Sequence, residues 1–278
     1  MKRVNIKIYF FIILLLHFPL QVYGSVTVSP KFIFMDSAHK MVPISVRNQG
    51  NIGVEINIQI VYSYIITDDS GKVLLIRDST ATDLTSAARW IKPYPLRFVL
   101  GPGEAQTIRL LATPPPDILD GEYWGRVMVV INPRGSTPSD KEKKSITGGI
   151  VFASEIGLPI YYRHGKIDTD LDCKNFALMK IDNEITVAID LEKMGNAAFN
   201  GSRLIRIRNS EGNTVRTYDA VTLVVFSAYK IREKIKVSDL PVGSYTLELE
   251  INSKRKDISD KYLIPIPIKR FSVKFDLP

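Results

Sequence analysis

The sequence predicts an all-β protein: two immunoglobulin-like β-sandwich domains in tandem after a signal peptide. Three observations carry this prediction. Short segments rich in β-branched and aromatic residues alternate with Gly, Pro, Asn and Asp turn signals. No segment has the periodicity of an amphipathic helix. The strand pattern also runs to about residue 163 and then starts again, so we place the domain boundary between residues 25–163 and 164–278.

The N-terminus has the composition of a secretory signal peptide, residues 1–24. A basic start that includes Lys2 and Arg3 precedes an almost wholly apolar run, residues 8–20. Small residues at Val22 and Gly24 suit a cleavage site, so we predict a cut after Gly24. The alternative is an uncleaved anchor, but the run is shorter than the ~20 residues that a membrane span needs. We expect an exported chain with no membrane span after cleavage.

In the first domain, turn signals separate eight apolar segments. Pro30 suits an edge strand, and two prolines in 90–100 exclude a helix there. Alternation is clearest in 53–65, while 79–88 is the one candidate for a helical turn. The predicted strands are residues 26–34, 41–47, 53–65, 72–77, 90–100, 105–112, 122–131 and 148–163.

The last of these strands, residues 148–163, has two fairly apolar faces. Ile150, Phe152 and Ser154 fall on one face because strand side chains alternate. A polar, lysine-rich loop, 133–147, precedes it. Such a strand needs cover on both faces. Either its own sandwich supplies that cover, or one edge is left open for docking another chain.

The second domain repeats the same pattern without sequence repetition. Leu247, Leu249 and Ile251 alternate with polar residues, and 210–213 has the composition of a hairpin turn. The predicted strands are residues 184–193, 203–208, 221–226, 230–237, 245–251 and 269–275.

Composition and motifs exclude several function classes. The net charge is +8, but the lysine and arginine residues are scattered among acidic residues, which argues against a nucleic-acid partner. The single cysteine, Cys173, cannot form an internal disulfide, and we interpret it as a small buried hydrophobe. The sequence shows no nucleophile elbow, no phosphate loop and no histidine or cysteine cluster with metal-ligand spacing. We therefore predict a binding protein with no catalytic residues, no cofactor and no metal, and not an enzyme.

Five segments occur in an order that resembles a known family. They are VTVSPKFIF at 26–34, VRN at 46–48, LGPGEAQTIRL at 100–110, DGEYWGRVMVVINP at 120–133 and LPIYYR at 158–163. This ordered set resembles the N-terminal domain of the periplasmic pilus-assembly chaperones, the PapD-like family. The resemblance covers about half of the chain, and residues 164–278 show only the general sandwich pattern.

The resemblance implies a function for the strand at 148–158. Family members bind pilus subunits whose immunoglobulin-like fold lacks its last strand, and they insert their own strand into the gap. By matching position, Ile150, Phe152 and Ser154 would face the subunit's groove. The implied partners are pilus or surface subunits with incomplete β-sandwiches and an outer-membrane usher, and the implied location is the periplasm.

The resemblance also points to candidate anchors for the subunit's terminal carboxylate. The family uses one basic residue on the first strand and one on the last. The matching positions here are Phe32 and Pro159, neither of which is basic. Lys31 and Arg163 are the candidate substitutes. Arg163 also matches a family arginine that ties the two domains together, and Glu122 is its candidate partner.

Two functions follow from these observations. The first is a periplasmic chaperone for fimbrium biogenesis that stabilises pilus or other β-sandwich subunits by donating the strand at 148–158. The second is a structural or adhesive two-sandwich protein of a fibre or envelope assembly.

Overall fold

Four β-sheets, two in each half of the chain, form the fold. The computed structural model describes residues 26–78, 84–134, 153–181 and 184–278. The prediction of an all-β chain with two β-sandwiches is confirmed. The predicted signal peptide and most of the predicted 133–147 loop lie outside the described residues. The exact domain boundary stays a prediction.

Ten strands of the first sandwich lie within the described residues. They are β1 Val26–Ser29, β2 Ile33–Asp36, β3 Met41–Asn48, β4 Val54–Thr67, β5 Val73–Asp78, β6 Ile91–Tyr94, β7 Arg97–Leu100, β8 Ala105–Ala112, β9 Gly121–Pro133 and β10 Ser154–His164.

These strands form two sheets with the connectivity of an immunoglobulin-like sandwich. One sheet has the order β1-β3-β8-β6, and the other has the order β2-β10-β9-β4-β5, with β7 also paired to β4. The sheets enclose one apolar core. Its fully buried members include Ile33, Met35, Ile44, Ile56, Ile108, Leu110 and Ile160.

Two predicted strands are each split between the sheets. The segment 26–34 becomes β1, which pairs with β3, and β2, which pairs with β10. The segment 90–100 becomes β6, which pairs with β8, and β7, which pairs with β4. Pro30 and Pro95 lie at the two crossings. A proline has no N–H to contribute to a ladder, so each marks the place where pairing with one sheet ends.

The second sandwich contains eight strands. They are β11 Thr169–Ile181, β12 Glu184–Gly195, β13 Phe199–Asn209, β14 Thr214–Thr217, β15 Val221–Val225, β16 Ala228–Lys236, β17 Gly243–Asn252 and β18 Lys269–Leu277. A single 3₁₀ turn, Asp260–Tyr262, lies between β17 and β18.

Its sheets have the orders β11-β12-β16 and β14-β13-β17-β18, with β15 paired to β13. The predicted alternation in β17 is confirmed, because Leu247, Leu249 and Ile251 are each 0% exposed in the second core. The sequence analysis did not predict β11 and β14 as strands. The polar side chains that alternate along the start of β11 conceal its pattern.

Two smaller expectations differ from the structure. Residues 84–88 form a turn and a bridge rather than a helical turn, and 79–83 lie outside the described residues. Cys173 is half-buried rather than fully buried, and its Sγ donates to the Asn175 carbonyl at 3.3 Å. Burial raises the pKa of this thiol. In the part of the chain that the structure describes, no helix is both long and apolar enough to span a membrane.

Candidate functional site

Strand β10 is paired along its whole length on one side only. Every residue from Ser154 to His164 has a partner on β9. On the other side, β2 runs parallel to β10 and pairs only with residues 160–163. Among the described residues, 154–159 therefore present an open backbone edge, on which the N–H and C=O groups of every second residue point away from β9. Pro159 has no N–H to contribute.

The row of core-facing side chains on β10 emerges from the sandwich along this open edge. Ile160 is 0% exposed and Leu158 is 4% exposed. Ile156 is only half-buried against the core, and Ser154 is exposed. Among the described residues, the first sandwich therefore covers this face of β10 only as far as Ile156. The predicted partner-contacting residues Ile150 and Phe152 lie outside the described residues.

The other face of β10 is shaped by small residues and by a neighbouring arginine. Pro159 lies directly opposite Arg126 of β9, and Gly157 lies two residues along. The Arg126 side chain crosses Gly157, because a Cβ built there would lie 2.8 Å from Arg126 Cδ. Its Nη1 donates to the Gly157 carbonyl at 3.3 Å, and its Nε is buried without an acceptor.

The charged groups near Arg126 either have another partner or carry the same positive charge. Glu155 accepts a 2.6 Å hydrogen bond from Arg77 Nη2. Burial lowers the pKa of Arg126, and the charge of Arg77 lowers it further. Among the described residues, no carboxylate lies within ion-pair distance of Arg126.

Glu122 and Arg163 form a buried ion pair where the two sandwiches meet. Arg163 Nε donates to Glu122 Oε2 at 2.8 Å, and the Glu122 side chain is 0% exposed. The other carboxylate oxygen accepts from the backbone N–H of Ala198 in the second sandwich at 3.2 Å. The Arg163 guanidinium also lies 4.9 Å from the centre of the Phe34 ring.

This pair leaves Arg163 with its charge already balanced by Glu122. Desolvation raises the pKa of Glu122, although Arg163 and the Ala198 amide act in the opposite direction. The role of the pair in holding the two sandwiches together stays a prediction. The geometry fits that role better than it fits carboxylate anchoring, because a second carboxylate would compete with Glu122.

An aromatic cluster lies next to this ion pair and joins the two sandwiches. Phe226 of the second sandwich lies 5.0 Å from Trp124 and 6.4 Å from Tyr161, centroid to centroid. Tyr64 lies 6.2 Å from the same ring. Tyr161 is 2% exposed, and burial raises its pKa. Arg126 comes two residues after Trp124 on β9 and so shares its face.

The remaining predicted anchor, Lys31, is exposed, and its charge helps to lower the pKa of Asp257. The neighbouring Phe32 ring lies under the Arg255 guanidinium at 4.9 Å. Arg255 itself pairs with Asp257 at 2.6 Å. Lys31 and Arg163 therefore do not form a cluster of free cations beside the 154–159 edge.

The sequence analysis missed Arg126 and Arg255. Arg126 could have been found by pairing 122–131 antiparallel with 154–163, because that register puts it opposite Pro159, where a basic residue was expected. Arg255 gave no such signal, because it lies in a loop with many charges.

No group of three or more histidine, cysteine, aspartate or glutamate side chains is arranged to hold a metal ion within the described ranges. A groove of about 1150 Å³ opens beside the 252–268 loop and is lined by charged, polar and aliphatic residues.

No protein-family model matches the chain, and no curated protein matches it in sequence. Solved structures do match it in fold. The YadV chaperone is 15% identical, with 88% of this chain and 99% of that chain covered and a TM-score of 0.45. The SafB chaperone of Salmonella enterica, solved in complex with the SafA pilin, is 11% identical, with 91% and 96% covered and a TM-score of 0.42.

The CupB2 chaperone of Pseudomonas aeruginosa is likewise 11% identical, with 91% of this chain and 100% of that chain covered and a TM-score of 0.41. All three of these proteins are chaperones by name, and SafB was solved with a pilin. At this level of identity the similarity concerns the fold alone.

Proposed function

We propose that this chain is a periplasmic chaperone that binds pilus or other β-sandwich surface subunits by strand addition. The donated strand is the one at 148–158, of which residues 153–158 are described. The partner is a subunit whose own sandwich lacks a strand, and an outer-membrane usher is the next partner in the assembly.

The single observation that carries this proposal is the half-paired strand β10. A strand edge with unpaired backbone groups normally invites aggregation. Proteins usually block such an edge with charged side chains, with proline or with a covering segment. Residues 154–158 contain no proline, and no second strand among the described residues pairs with them. A partner strand placed there would gain a full ladder of main-chain hydrogen bonds.

The side chains supply the second part of the interaction. Ile156 is the last residue of the core-facing row that the first sandwich partly covers. In the sequence, the same alternation continues backwards through Ser154 to Phe152 and Ile150. Burying Ile150 and Phe152 in a partner's groove would contribute about 1.5–3 kcal/mol each, before the cost of ordering the segment.

A double substitution tests the proposal. Ile150→Asp with Phe152→Asp should abolish capture of a co-expressed subunit whose sandwich lacks its last strand, while the melting temperature of the free protein stays unchanged. The matched control is Val73→Asp with Leu75→Asp on β5, the opposite edge of the same sheet, where the side chains are 50% and 48% exposed. The control should capture the subunit normally.

Two outcomes would contradict the proposal. Normal capture by the Ile150/Phe152 variant would show that this strand does not hold the subunit. Loss of capture only in the β5 control would move the docking edge to the other side of the sheet. Recovery of the chain from assembled fibres, rather than from soluble one-to-one complexes, would instead support a structural or adhesive component.

A further inference from the structure

We infer that the free edge of β5 is a self-association surface, at which two copies of this chain pair their β5 strands antiparallel about a twofold axis. The β5 edge lies on the opposite side of the sheet from the half-paired strand β10. Self-association there is therefore a separate interaction of the first sandwich, and it does not use the 154–159 edge.

The outer part of the β4–β5 hairpin is a two-stranded ribbon that has left the main sheet. The ladder between β4 and β9 ends at Val61, and residues 62–67 then pair, among the described residues, only with residues 73–78 of β5. Beside Trp124 of β9, Ser86 takes the place of β4 through an isolated bridge. A two-stranded ribbon is marginally stable in water, so a further strand beside it would stabilise it.

The second sandwich contacts this ribbon along β4, which leaves the other edge, that of β5, open. The backbone N–H of Lys230 donates to Thr67 Oγ1, and the centre of the Tyr64 ring lies 6.2 Å from that of Phe226. Within the part of the chain that the structure describes, β5 pairs with β4 and with no other strand. The outer edge of β5 is therefore available to a strand from another molecule.

The edge of β5 is apolar and has none of the usual protections. Residues 73–76 are four successive apolar residues, and their pairing with β4 is free of prolines and bulges. Val73 and Leu75, on one face, are 50% and 48% exposed. Arg77, the charged residue of that face, is turned toward β10 and donates to Glu155 at 2.6 Å. Because edge strands are normally protected by charge, proline or a bulge, an apolar edge without them is suited to pairing.

The hairpin turn fixes which backbone groups of β5 point outward. The N–H of Asp68 donates to the carbonyl of Lys72 at 3.0 Å, so these two residues form a hydrogen-bonded pair of the ladder. Hydrogen-bonded and non-hydrogen-bonded pairs alternate along an antiparallel ladder. The N–H and C=O groups of Val73, Leu75 and Arg77 therefore point away from β4. A second copy must present the same three residues opposite them.

Centring the β5 pair on Leu75 aligns all of these outward groups and also matches the side chains. In this register the opposite residues in the two copies are Leu75 and Leu75, Val73 and Arg77, Leu74 and Ile76, and Lys72 and Asp78. The central pairs are apolar and opposite charges meet at both ends, which favours the pairing. A register shifted by two residues would place an apolar side chain opposite Lys72 or Asp78, and it would align fewer of the outward groups.

The symmetry and size of this contact define the assembly. A twofold contact uses the β5 edge of each copy once, so it closes at two chains and does not continue into a fibre. Two six-residue strands bury much less than the roughly 1,200–2,000 Å² of a stable specific interface. The dimer is therefore weak, and its population rises with protein concentration.

Disulfide trapping on β5 tests both the surface and its register. Cys173→Ser first removes the one native thiol. Leu75→Cys then places a thiol on the twofold axis, with the two Cα atoms about 5.5 Å apart, which is within disulfide range. The matched control is Val73→Cys, on the same face and equally exposed, whose counterpart in the second copy lies about 14 Å away along the strands. Both full-length variants are oxidised at the same concentration, and linked dimer is measured by non-reducing electrophoresis.

The Leu75→Cys variant should form the linked dimer at least about tenfold faster than the Val73→Cys variant, because only its thiols are held together in the pair. In sedimentation equilibrium, the mass of the wild type should rise with concentration. Val73→Asp with Leu75→Asp should remove this rise without changing the melting temperature, since both side chains are exposed.

Three results would overturn the inference. The first is linkage at equal rates in the two cysteine variants, which would mean random collision rather than the β5 register. The second is a wild type that stays monomeric across the whole concentration range. The third is a dimer that persists in the double aspartate variant, because the contact would then lie on another surface.

Discussion

Removing Arg163 should leave a buried carboxylate uncompensated at the contact between the sandwiches. In Arg163→Met, the Glu122 side chain, 0% exposed, keeps only the Ala198 amide at 3.2 Å as a donor. Breaking one partner of a buried ion pair costs about 3–5 kcal/mol. For a chain of this size, about 2–4 °C per kcal/mol gives a melting temperature lower by roughly 6–20 °C at neutral pH.

The loss of stability in Arg163→Met should grow as the pH rises. Burial raises the folded-state pKa of Glu122 above its usual value of 4.5, and removing Arg163 raises it further. The folded state then binds more protons than the unfolded state. Stability is therefore fully present below the unfolded-state pKa and is lost as pH rises through the folded-state pKa. The cost of Arg163→Met should grow as pH rises from the folded-state pKa of Glu122 in the wild type, which lies above 4.5, to the higher pKa in the variant, by up to about 1.4 kcal/mol per pH unit.

Guanidinium unfolding of the wild type and the variant at a series of pH values measures this dependence. The control is a double variant, Glu122→Met with Arg163→Met, which removes both charges. It should lose less stability than Arg163→Met alone and should show no growth of the loss with pH. A single variant that is as stable as the wild type, or whose loss shrinks as pH rises, would refute the reasoning.

Three further substitutions have different expected effects. Gly157→Ala should lower the free energy of unfolding by about 1–3 kcal/mol in guanidinium, because the new Cβ would lie 2.8 Å from Arg126 Cδ and 3.2 Å from Met128 Sδ. Phe226→Ala should lower the free energy of unfolding by about 3–5 kcal/mol in guanidinium, because this 7%-exposed ring fills the contact between the sandwiches. Asp69→Asn should leave the melting temperature unchanged, because the ion pair that it removes, with Lys230, lies in solvent.

The strand positions were largely predictable because alternation and turn residues are local properties. The predicted 105–112 strand coincides with β8, and the 41–47 strand differs from β3 by one residue. What could not be predicted was which sheet each strand joins. The crossings at Pro30 and Pro95 depend on long-range pairing, and a proline alone predicts only that a strand is interrupted.

In the candidate site, too, local features could be predicted from the sequence and long-range contacts could not. The importance of the strand ending at residue 163 followed from its composition, but its half-paired state depends on how far β2 extends along it. Arg126 looked like an ordinary strand residue, because its environment is made by Gly157 and Pro159 on another strand. The expected anchors Lys31 and Arg163 were chosen by position. The resemblance also named Glu122 as a partner for Arg163, and the two side chains do lie 2.8 Å apart.

Hydrogen exchange at residues 154–158 tests the central claim most directly. The account predicts that roughly every second backbone amide of this segment exchanges rapidly in the free protein, because β9 pairs it on one side only. In a complex with a subunit that lacks a strand, these amides should become protected, and those of β18, the edge of the second sandwich, should not change. Amides that are already protected in the free protein, or that stay unprotected in the complex, would contradict the account.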